Sequence, residues 1–279
     1  MRYFAPASLE EAINILLEHE GAIILAGGTD VMVEKRSGKI EPSAVVDIKK
    51  LEGELRYMRL SDDRLEIGSL TTITDILHWG KLPHEVTSLK DAARVFGCHE
   101  IRNRATIGGN IAHASPGAEF ASTLLALDAT VQLAGKDGKR ELSMEDFFLG
   151  PGKANMERGE VITGFSVPLL SGSSSCYMRA SRVDGMDLAI INCAIRLQDL
   201  DAENLAVRAA FGAVAGKPIR IVEAEKLLAR EDFEGVKRLL FDTLNPRATS
   251  LRAAPMSKKL LAGNLAEDTY KIAKERLAG

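Results

Sequence analysis

Two short loops carry the residues whose types and spacing could do chemistry. Residues 25–30 read Leu-Ala-Gly-Gly-Thr-Asp, and residues 105–110 read Ala-Thr-Ile-Gly-Gly-Asn. Adjacent glycines let the backbone approach a ligand closely, and successive N–H groups can then converge on an anion. A helix beginning after Asp30 would add the positive end of its dipole, and Asn110 can both donate and accept hydrogen bonds. These residue types suit a phosphate-bearing ligand such as a dinucleotide.

Each loop alone is weak support for such a site, because two adjacent glycines after a strand most often form an ordinary turn. Neither loop matches the GxGxxG motif of a Rossmann fold or the GxxxxGKS/T motif of a P-loop, which disfavours those two nucleotide-binding folds. The similarity between the loops strengthens the functional interpretation. It leaves open the alternative that both loops are ordinary turns with no ligand.

Composition limits the classes of function. The chain has 279 residues, 46% of them hydrophobic, which is enough for two domains with their own cores. The formal net charge of -3 disfavours a nucleic-acid partner. No uncharged apolar run approaches the roughly 18 residues that a membrane span needs, and the first residues lack the apolar core of a signal peptide. We therefore expect a cytoplasmic protein with no membrane segment.

The cysteines and histidines show no metal-binding pattern. Cys98, Cys176 and Cys193 are odd in number and far apart, which argues against a disulfide framework. It also argues against a self-contained iron–sulfur cluster, which normally takes four closely spaced thiolates. The histidines show neither HxH nor HExxH spacing, so no metal site is expected. Redox chemistry on this chain would need an organic cofactor.

Local patterns predict a mixed α and β chain. A capping box of Ser8 and Glu11 predicts a helix that stops near Gly21, and Ser115 with Pro116 predicts a helix start. Residues 97–113 are predicted to be mostly loop, and residues 171–175 a flexible boundary between domains. Strands are predicted at residues 22–25, 44–47, 55–60, 64–68, 129–133, 139–142, 161–167, 176–181, 189–197 and 205–213. Helices are predicted at residues 86–96, 116–127, 221–228, 233–240 and 265–277.

Taken together, several segments resemble one known family. These segments are Ala26-Gly27-Gly28-Thr29-Asp30, residues 101–111 (IRNRATIGGNI), Ala114-Ser115-Pro116, and residues 211–215 (FGAVA) followed by Pro218 and Glu225. In this order and spacing they resemble the flavin-binding medium subunit of xanthine dehydrogenase and carbon monoxide dehydrogenase type molybdenum hydroxylases. The resemblance covers nearly the whole chain.

The resemblance implies an α+β fold with two domains. Residues 1–170 would form a vanillyl-alcohol-oxidase-like (PCMH-type) FAD-binding domain with lobes at about residues 1–53 and 54–170. Residues 174–279 would form a smaller α+β domain, like the C-terminal domain of carbon monoxide dehydrogenase flavoproteins, with a short antiparallel sheet and helices.

The resemblance also implies noncovalent FAD between the two lobes. Glu119 stands where the family usually has an aspartate that contacts the sugar-like chain of the flavin, although an acid in the first turn of a helix is also favoured by the dipole. Phe96 and Ile162 fall near family contact positions, yet such residues are often ordinary core. The cofactor-binding residues expected on this basis are Ile23, Ile24, Leu25, Ala26, Gly27, Gly28, Thr29, Asp30, Phe96, Thr106, Ile107, Gly108, Gly109, Asn110, Ser115, Glu119, Ile162 and Arg179.

The function implied is electron transfer within a complex. A large partner subunit would hold the molybdenum cofactor and a small partner subunit two 2Fe–2S clusters, and electrons would reach FAD here before passing to an acceptor such as NAD. No catalytic acid or base is expected on this chain, because the cofactor carries the chemistry. Two alternatives remain: a stand-alone flavin oxidase of the same fold, and a non-enzymatic nucleotide-binding or assembly module. Copurifying partner subunits and bound flavin would discriminate among the three.

Overall fold

The first lobe is a small parallel sheet with short helices, seen in a computed structural model that describes residues 1–183, 185–201, 204–248, 250 and 252–279. Its elements are β1 (Arg2–Phe4), α1 (Leu9–Glu18), β2 (Ile23–Leu25), α2 (Val31–Arg36) and β3 (Ala44–Asp47), with strand order β1-β3-β2. The apolar face of α1 packs on this sheet, because Ala12, Ile13 and Leu16 are buried together with Val46. This packing holds the end of β2, where the first glycine loop begins.

The cap predicted for α1 is present in altered form. The Glu11 N–H donates to Ser8 Oγ at 3.1 Å, as the capping box predicts. The returning bond differs, since Glu11 Oε2 accepts from the N–H of Ala7 at 2.7 Å. Gly21 adopts a φ of +74° just after the helix, the left-handed conformation that glycine allows at low cost.

The second lobe is built on an antiparallel sheet with strand order β4-β5-β10-β6-β7. Its elements are α3 (Glu52–Leu55), β4 (Met58–Leu60), β5 (Arg64–Gly68), α4 (Ile73–His78), α5 (Ser88–Val95), α6 (His99–Arg102), α7 (Ile107–Ala112), α8 (Glu119–Ala126), β6 (Thr130–Gly135), β7 (Gly138–Ser143), α9 (Met144–Phe147), β8 (Phe148–Gly150), β9 (Lys153–Ala154) and β10 (Val161–Pro168). Leu65, Ile67 and Phe165 of the sheet share one buried core with Phe120 of α8.

Two predictions in this lobe are wrong. Residues 97–113 are not mostly loop, because they contain α6 and α7; adjacent glycines in the first turn of α7 hide its helical pattern. The helix expected from Ser115 begins only at Glu119, with Ala118 as its N-cap. The backbone instead makes a turn at residues 114–118, where Ala114 has a φ of +49° and the N–H of Ala118 donates to the carbonyl oxygen of Ser115 at 3.1 Å.

The C-terminal part is an antiparallel sheet covered by helices, with strand order β11-β12-β13-β14. Its elements are β11 (Ser173–Ala180), β12 (Ile191–Asp201), β13 (Asn204–Gly212), β14 (Ile219–Arg220), α10 (Val222–Leu228), α11 (Phe233–Thr243) and α12 (Pro255–Ala278). Cys193, Ile195 and Phe211 of the sheet share a buried core with Ala266 and Tyr270 of α12. No helix in the described ranges is both long and apolar enough to cross a membrane.

The serine-rich segment is not flexible, because Ser173, Ser174 and Ser175 are buried within β11. Ser174 Oγ donates to the carbonyl oxygen of Ala273 in α12 at 2.6 Å. Ser175 Oγ accepts from the N–H of Ser88 in α5 at 3.1 Å. Serines are small enough for a helix to pack closely on the strand, and the hydroxyls of Ser174 and Ser175 are bonded inside the protein. Ser173 Oγ is buried without a hydrogen-bond partner among the described residues. The sequence pattern shows the small size of the side chains but not the packing that requires it.

Helix α8 is held from both sides, since it belongs to the second lobe and lies against β12. Asn192 Nδ2 donates to the carbonyl oxygen of Gly117 at 3.1 Å, and Asn192 Oδ1 accepts from Ser122 Oγ at 2.8 Å. At the other end, Arg196 Nη1 donates to the carbonyl oxygen of Leu127 at 2.8 Å. The C-terminal part therefore sets the position of Glu119 at the start of α8.

Candidate functional site

The two glycine loops lie against each other, although 75 or more residues separate them in sequence. A Cβ placed on Gly27 would lie 2.0 Å from the carbonyl oxygen of Arg104 and 3.1 Å from the Cα of Ala105. Only glycine permits this approach of two backbones. Gly27 is therefore required where one lobe meets the other, and packing alone explains it.

A third segment, after β5, anchors the second loop. The N–H of Gly108 donates to the carbonyl oxygen of Ser69, and the N–H of Ile107 donates to that of Thr71, both at 3.0 Å. A Cβ on Gly108 would lie 2.6 Å from Ser69 O. The first glycine of each pair thus joins protein segments, and Ile107 is fully buried in the core.

The loops differ in the hydrogen-bonding groups they offer. The N–H groups of residues 27–30 donate to no acceptor among the described residues. In the second loop, the N–H groups of Gly109 and Asn110 donate to Thr106 Oγ1 and to the carbonyl oxygen of Thr106, both at 3.0 Å. A nest of N–H groups was expected on both sides, and a run of unpaired N–H groups is found among the described residues of the first loop only, at residues 27–30. The second loop leads into α7, so the N–H groups of residues 107–110 are used within the protein.

A cavity of about 490 Å³ opens between the loops. Among the residues expected to bind a cofactor, those that line it are Ile23, Ile24, Ala26, Gly27, Gly28, Thr29, Asp30, Phe96, Thr106, Gly108, Gly109, Asn110 and Ile162. Leu25, Ile107, Ser115, Glu119 and Arg179 do not line it. Gly28 has a φ of +78°, which turns the backbone along the cavity wall in a conformation that glycine favours.

The charged side chains of the cavity are mostly acidic. Glu20, Asp30, Glu157 and Glu160 line it, and Arg158 is the one arginine or lysine among the described lining residues. Arg158 Nη2 already donates to the carbonyl oxygen of Leu17 at 2.6 Å. An anionic group bound here would therefore depend on backbone N–H groups, and residues 27–30 supply these next to the start of α2.

Other features of the cavity fit the remaining parts of a flavin dinucleotide. The Oδ1 atom of Asn110 is buried and has no hydrogen-bond partner among the described residues. Leaving such an acceptor unpaired costs about 1–3 kcal/mol, which a ligand donor would recover. Ile24, Leu70 and Val161 give parts of the wall an apolar character that suits flat aromatic rings. The residues present thus fit FAD.

His113 also lines the cavity and follows the second loop by three residues. Its Nε2 lies 3.3 Å from Glu34 Oε1 on α2, so this pair links the end of α7 to the helix that follows the first loop. Hydrogen bonds from Lys39 and His113 hold the pKa of Glu34 below its usual value. A structural role for His113 in holding these two helices together is sufficient to explain its place.

Glu119 and Arg179 meet beside the cavity although they come from different domains. Arg179 Nη1 lies 3.9 Å from Glu119 Oε1, and both side chains are almost fully buried. The pKa of Glu119 is raised to about 7, because burial, helped by Asp30, outweighs its own backbone N–H, Arg179 and Arg252, which all lower the pKa. The structure therefore places two predicted residues together but outside the cavity lining.

Sequence reasoning missed several lining residues. Ser69 and Leu70 follow β5, His19 follows α1, and Arg158 precedes Gly159, whose φ is +87°. A glycine with a polar neighbour at the end of a strand, as at Gly68 and Ser69, is a signal that could have indicated this wall. His19 and Arg158 show no comparable local pattern.

The described residues include no group of three or more His, Cys, Asp or Glu side chains that could hold a metal ion. Cys98, Cys176 and Cys193 are free thiols. Burial raises the pKa of Cys176 to about 12 and also raises that of Cys193, so both thiols are neutral at physiological pH.

Comparison with known proteins agrees with this geometry. Residues 1–170 match the model of the FAD binding domain in molybdopterin dehydrogenase, and residues 175–273 match that of the carbon monoxide dehydrogenase flavoprotein C-terminal domain. The chain is 34% identical over 225 residues to the glyceraldehyde dehydrogenase medium chain of Sulfolobus acidocaldarius, covering 80% of this chain and 79% of that protein. It is 32% identical over 256 residues to the xanthine dehydrogenase FAD-binding subunit of Escherichia coli O157:H7, covering 88% and 87%.

The fold is shared with a solved structure over its whole length. A chain of carbon monoxide dehydrogenase from Hydrogenophaga pseudoflava superposes with a TM-score of 0.92 at 27% identity, covering 99% of this chain and 98% of that one. The expected PCMH-type FAD-binding fold followed by a smaller α+β domain is confirmed. The chain belongs to the family of FAD-binding medium subunits of xanthine dehydrogenase and carbon monoxide dehydrogenase type molybdenum hydroxylases, and is an oxidoreductase subunit whose cofactor is FAD.

Proposed function

We propose that this chain is the electron-transfer subunit of a molybdenum hydroxylase complex. A large partner subunit would hold the molybdenum cofactor and a small one the 2Fe–2S clusters, and FAD in the cavity would link those clusters to an acceptor such as NAD. The observation that carries the proposal is the run of free N–H groups at residues 27–30 facing a cavity with one lysine or arginine among its described lining residues. When bound, FAD supplies the redox chemistry, because its ring accepts and releases electrons.

The residues of this chain bind and orient the cofactor. In the proposed arrangement the N–H groups of residues 27–30 hold the pyrophosphate, and Thr106 and Asn110 bond polar atoms of the ligand from the opposite wall. The apolar lining of Ile23, Ile24 and Ile162 excludes water from the rings. Ser115, Glu119 and Arg179 act from beside the cavity. Ile107 supports the cavity from the core, and Leu25 ends β2 at the start of the first loop. The Arg179–Glu119 distance of 3.9 Å supports their grouping.

The names of relatives support the same assignment. Relatives include the xanthine dehydrogenase FAD-binding subunit of Escherichia coli O157:H7 and the carbon monoxide dehydrogenase medium chain of Hydrogenophaga pseudoflava, both named as parts of larger enzymes. We propose the same division for this chain, with a FAD-binding domain at residues 1–170, a C-terminal domain at residues 174–279, and noncovalent FAD. A cytoplasmic complex is part of the proposal and agrees with three free cysteines.

A visible absorption spectrum of the purified chain tests the proposal, followed by identification of any cofactor released on denaturation. We expect a two-banded flavin spectrum and release of intact FAD. Copurification of a large and a small subunit from the native host, with bleaching of the flavin bands on addition of the substrate of the complex, would support electron transfer. Flavin that stays attached after denaturation would favour a stand-alone oxidase, and a chain that takes up no added FAD would contradict the assignment.

A further inference from the structure

Glu119 is a buried carboxyl group at the seam between the two domains. It lies in the first turn of α8, whose residues 119–126 are all buried, and 7% of its own surface is exposed. Its N-cap residue, Ala118, has no side chain that could bond the start of the helix. Burial disfavours a charged carboxylate unless a cation or several donors compensate for the lost water.

The cation nearest to Glu119 does not compensate in full. Arg179 Nη1 donates to the carbonyl oxygen of Asp187 at 2.6 Å, and Arg179 Nη2 donates to that of Gly185 at 2.7 Å. The distance from Arg179 to the Glu119 carboxylate is 3.9 Å, which is too long for a hydrogen bond. Arg179 is therefore held by the loop between β11 and β12, and its attraction for Glu119 is purely electrostatic.

The other groups around Glu119 act in both directions, and its own backbone N–H favours the charged carboxylate. Arg252, which precedes α12, favours the charged carboxylate, and Asp30, the N-cap residue of α2, opposes it. Tyr177 on β11 interacts with Glu119, but burial raises the pKa of this phenol well above its usual value, so it stays neutral. With these neighbours the pKa of Glu119 is raised to about 7, which leaves the group partly protonated at neutral pH.

A dinucleotide in the cavity would change this balance. Asp30 belongs both to the cavity wall and to the surroundings of Glu119, so a pyrophosphate at residues 27–30 would bring its negative charge close to that carboxylate. We propose that Glu119 takes up a proton from solvent when FAD binds, so that the affinity of this chain for FAD falls as the pH rises through neutrality. The inference rests on the FAD site proposed above.

The direction of the effect follows from linkage. In the free chain Glu119 is protonated below a pKa of about 7, and bound FAD raises that pKa further. Affinity is therefore constant below about pH 7 and falls between the pKa of the free chain and that of the complex, by at most about tenfold per pH unit. In this step one proton leaves hydronium or a buffer acid, whose bond to hydrogen breaks, and one O–H bond forms on the Glu119 carboxylate, with no redox change.

The test measures FAD affinity of the apo chain by quenching of flavin fluorescence from about pH 5.5 to about pH 9. Calorimetry in buffers with different enthalpies of ionisation counts the protons taken up on binding and needs no variant. We expect net proton uptake near neutral pH in the wild-type chain. In Glu119→Gln, a neutral isostere, we expect affinity close to the low-pH value of the wild type at every pH, with no uptake.

His113→Asn is the matched control, because a protonated His113 on the cavity wall would also favour an anion at low pH. We expect His113→Asn to keep the pH dependence. A wild-type chain that binds FAD with flat affinity and no proton uptake overturns the inference but leaves the proposed function standing. The same holds if the dependence persists in Glu119→Gln and disappears in His113→Asn. Absence of FAD binding at every pH overturns both.

Discussion

At the residue scale, the glycines of the two loops have different roles. Gly27 and Gly108 lie where a Cβ would collide with backbone carbonyl oxygens of Arg104 and Ser69, at 2.0 and 2.6 Å. A Cβ on Gly109 would approach only Thr106 Oγ1 among the described residues, at 3.1 Å, and Gly109 lines the cavity. The first glycine of each pair therefore serves folding, and Gly109 leaves space for a ligand.

Substitutions at Gly27 and Gly109 should affect different quantities, the first mainly stability and the second mainly FAD affinity. Gly27→Ala should lower the free energy of unfolding by about 1–3 kcal/mol, because its Cβ must displace a backbone carbonyl. Gly109→Val should change stability by less than about 1 kcal/mol but weaken FAD binding at least about tenfold, or about 1.4 kcal/mol. Urea unfolding and FAD titration measure the two quantities.

Gly53→Val is the control for this pair, since Gly53 lies in α3 and no described residue comes within 4 Å of its Cβ position. Both FAD affinity and stability should stay near the wild-type values. Unchanged FAD affinity in a folded Gly109→Val chain would show that the cavity beside α7 is not the cofactor site.

At the element scale, α8 is positioned by the sheet of the C-terminal part. Asp128 lies just after the last turn of α8 and has a φ of +54°. Its carboxylate forms ion pairs with Arg196 Nη2 at 2.8 Å and Arg208 Nη1 at 2.6 Å. The side chain of Arg196 is 5% exposed, so Asp128 is the carboxylate that pairs with this buried charge. Glu119 stands at the opposite end of the same helix, and a shift of α8 would move it.

Asp128→Asn should lower the free energy of unfolding by about 1–3 kcal/mol, because Arg196 keeps a hydrogen-bond acceptor but loses its countercharge. Asparagine tolerates the left-handed backbone, so strain adds little. Chemical denaturation measures the change. Asp63→Asn removes a partner of the exposed Arg64 at 3.4 Å and should cost less than about 1 kcal/mol. Equal losses of unfolding free energy in the two variants would contradict a stabilising ion pair between Asp128 and Arg196.

At the scale of the whole molecule, the two parts share a core. Tyr177, Ala194 and Ala210 of the C-terminal sheet are buried in the hydrophobic cluster of the second lobe. The end of the chain returns to that lobe, since Arg276 Nη1 and Nη2 donate to the carboxylate of Asp91 at 2.6 and 3.0 Å. Asp91 also accepts from the N–H of Tyr177 at 3.2 Å. Neither part buries its apolar surface fully without the other.

We therefore expect a single thermal transition for the chain, rather than one for each domain. Opening the seam would expose the buried faces of α8 and of β12 together, which couples the two parts. Differential scanning calorimetry tests this, with near-ultraviolet circular dichroism as a second probe. Two resolved transitions would show that the shared core contributes little to cooperativity.

Much of the site could be predicted from short sequence segments. The order and spacing of the glycine loops and of Ala114-Ser115-Pro116 resembled the family to which the chain belongs, and most of the expected residues line one cavity. Local patterns also located α1, β3 and the hairpin of β4 and β5. They failed at α7 and at the start of α8, where glycines and a turn at residues 114–118 interrupt the helical period.

The sequence by itself determined the family, the cofactor and the expectation that the two glycine loops share one site. These depend on short local motifs and on their order along the chain. Only the tertiary structure decided which N–H groups are free, since those of residues 107–110 are used by α7 and by Ser69 and Thr71. It also decided that Glu119 faces Arg179 and that the serines of β11 are buried. Each of these depends on contacts between distant segments, and a local pattern does not specify its partner.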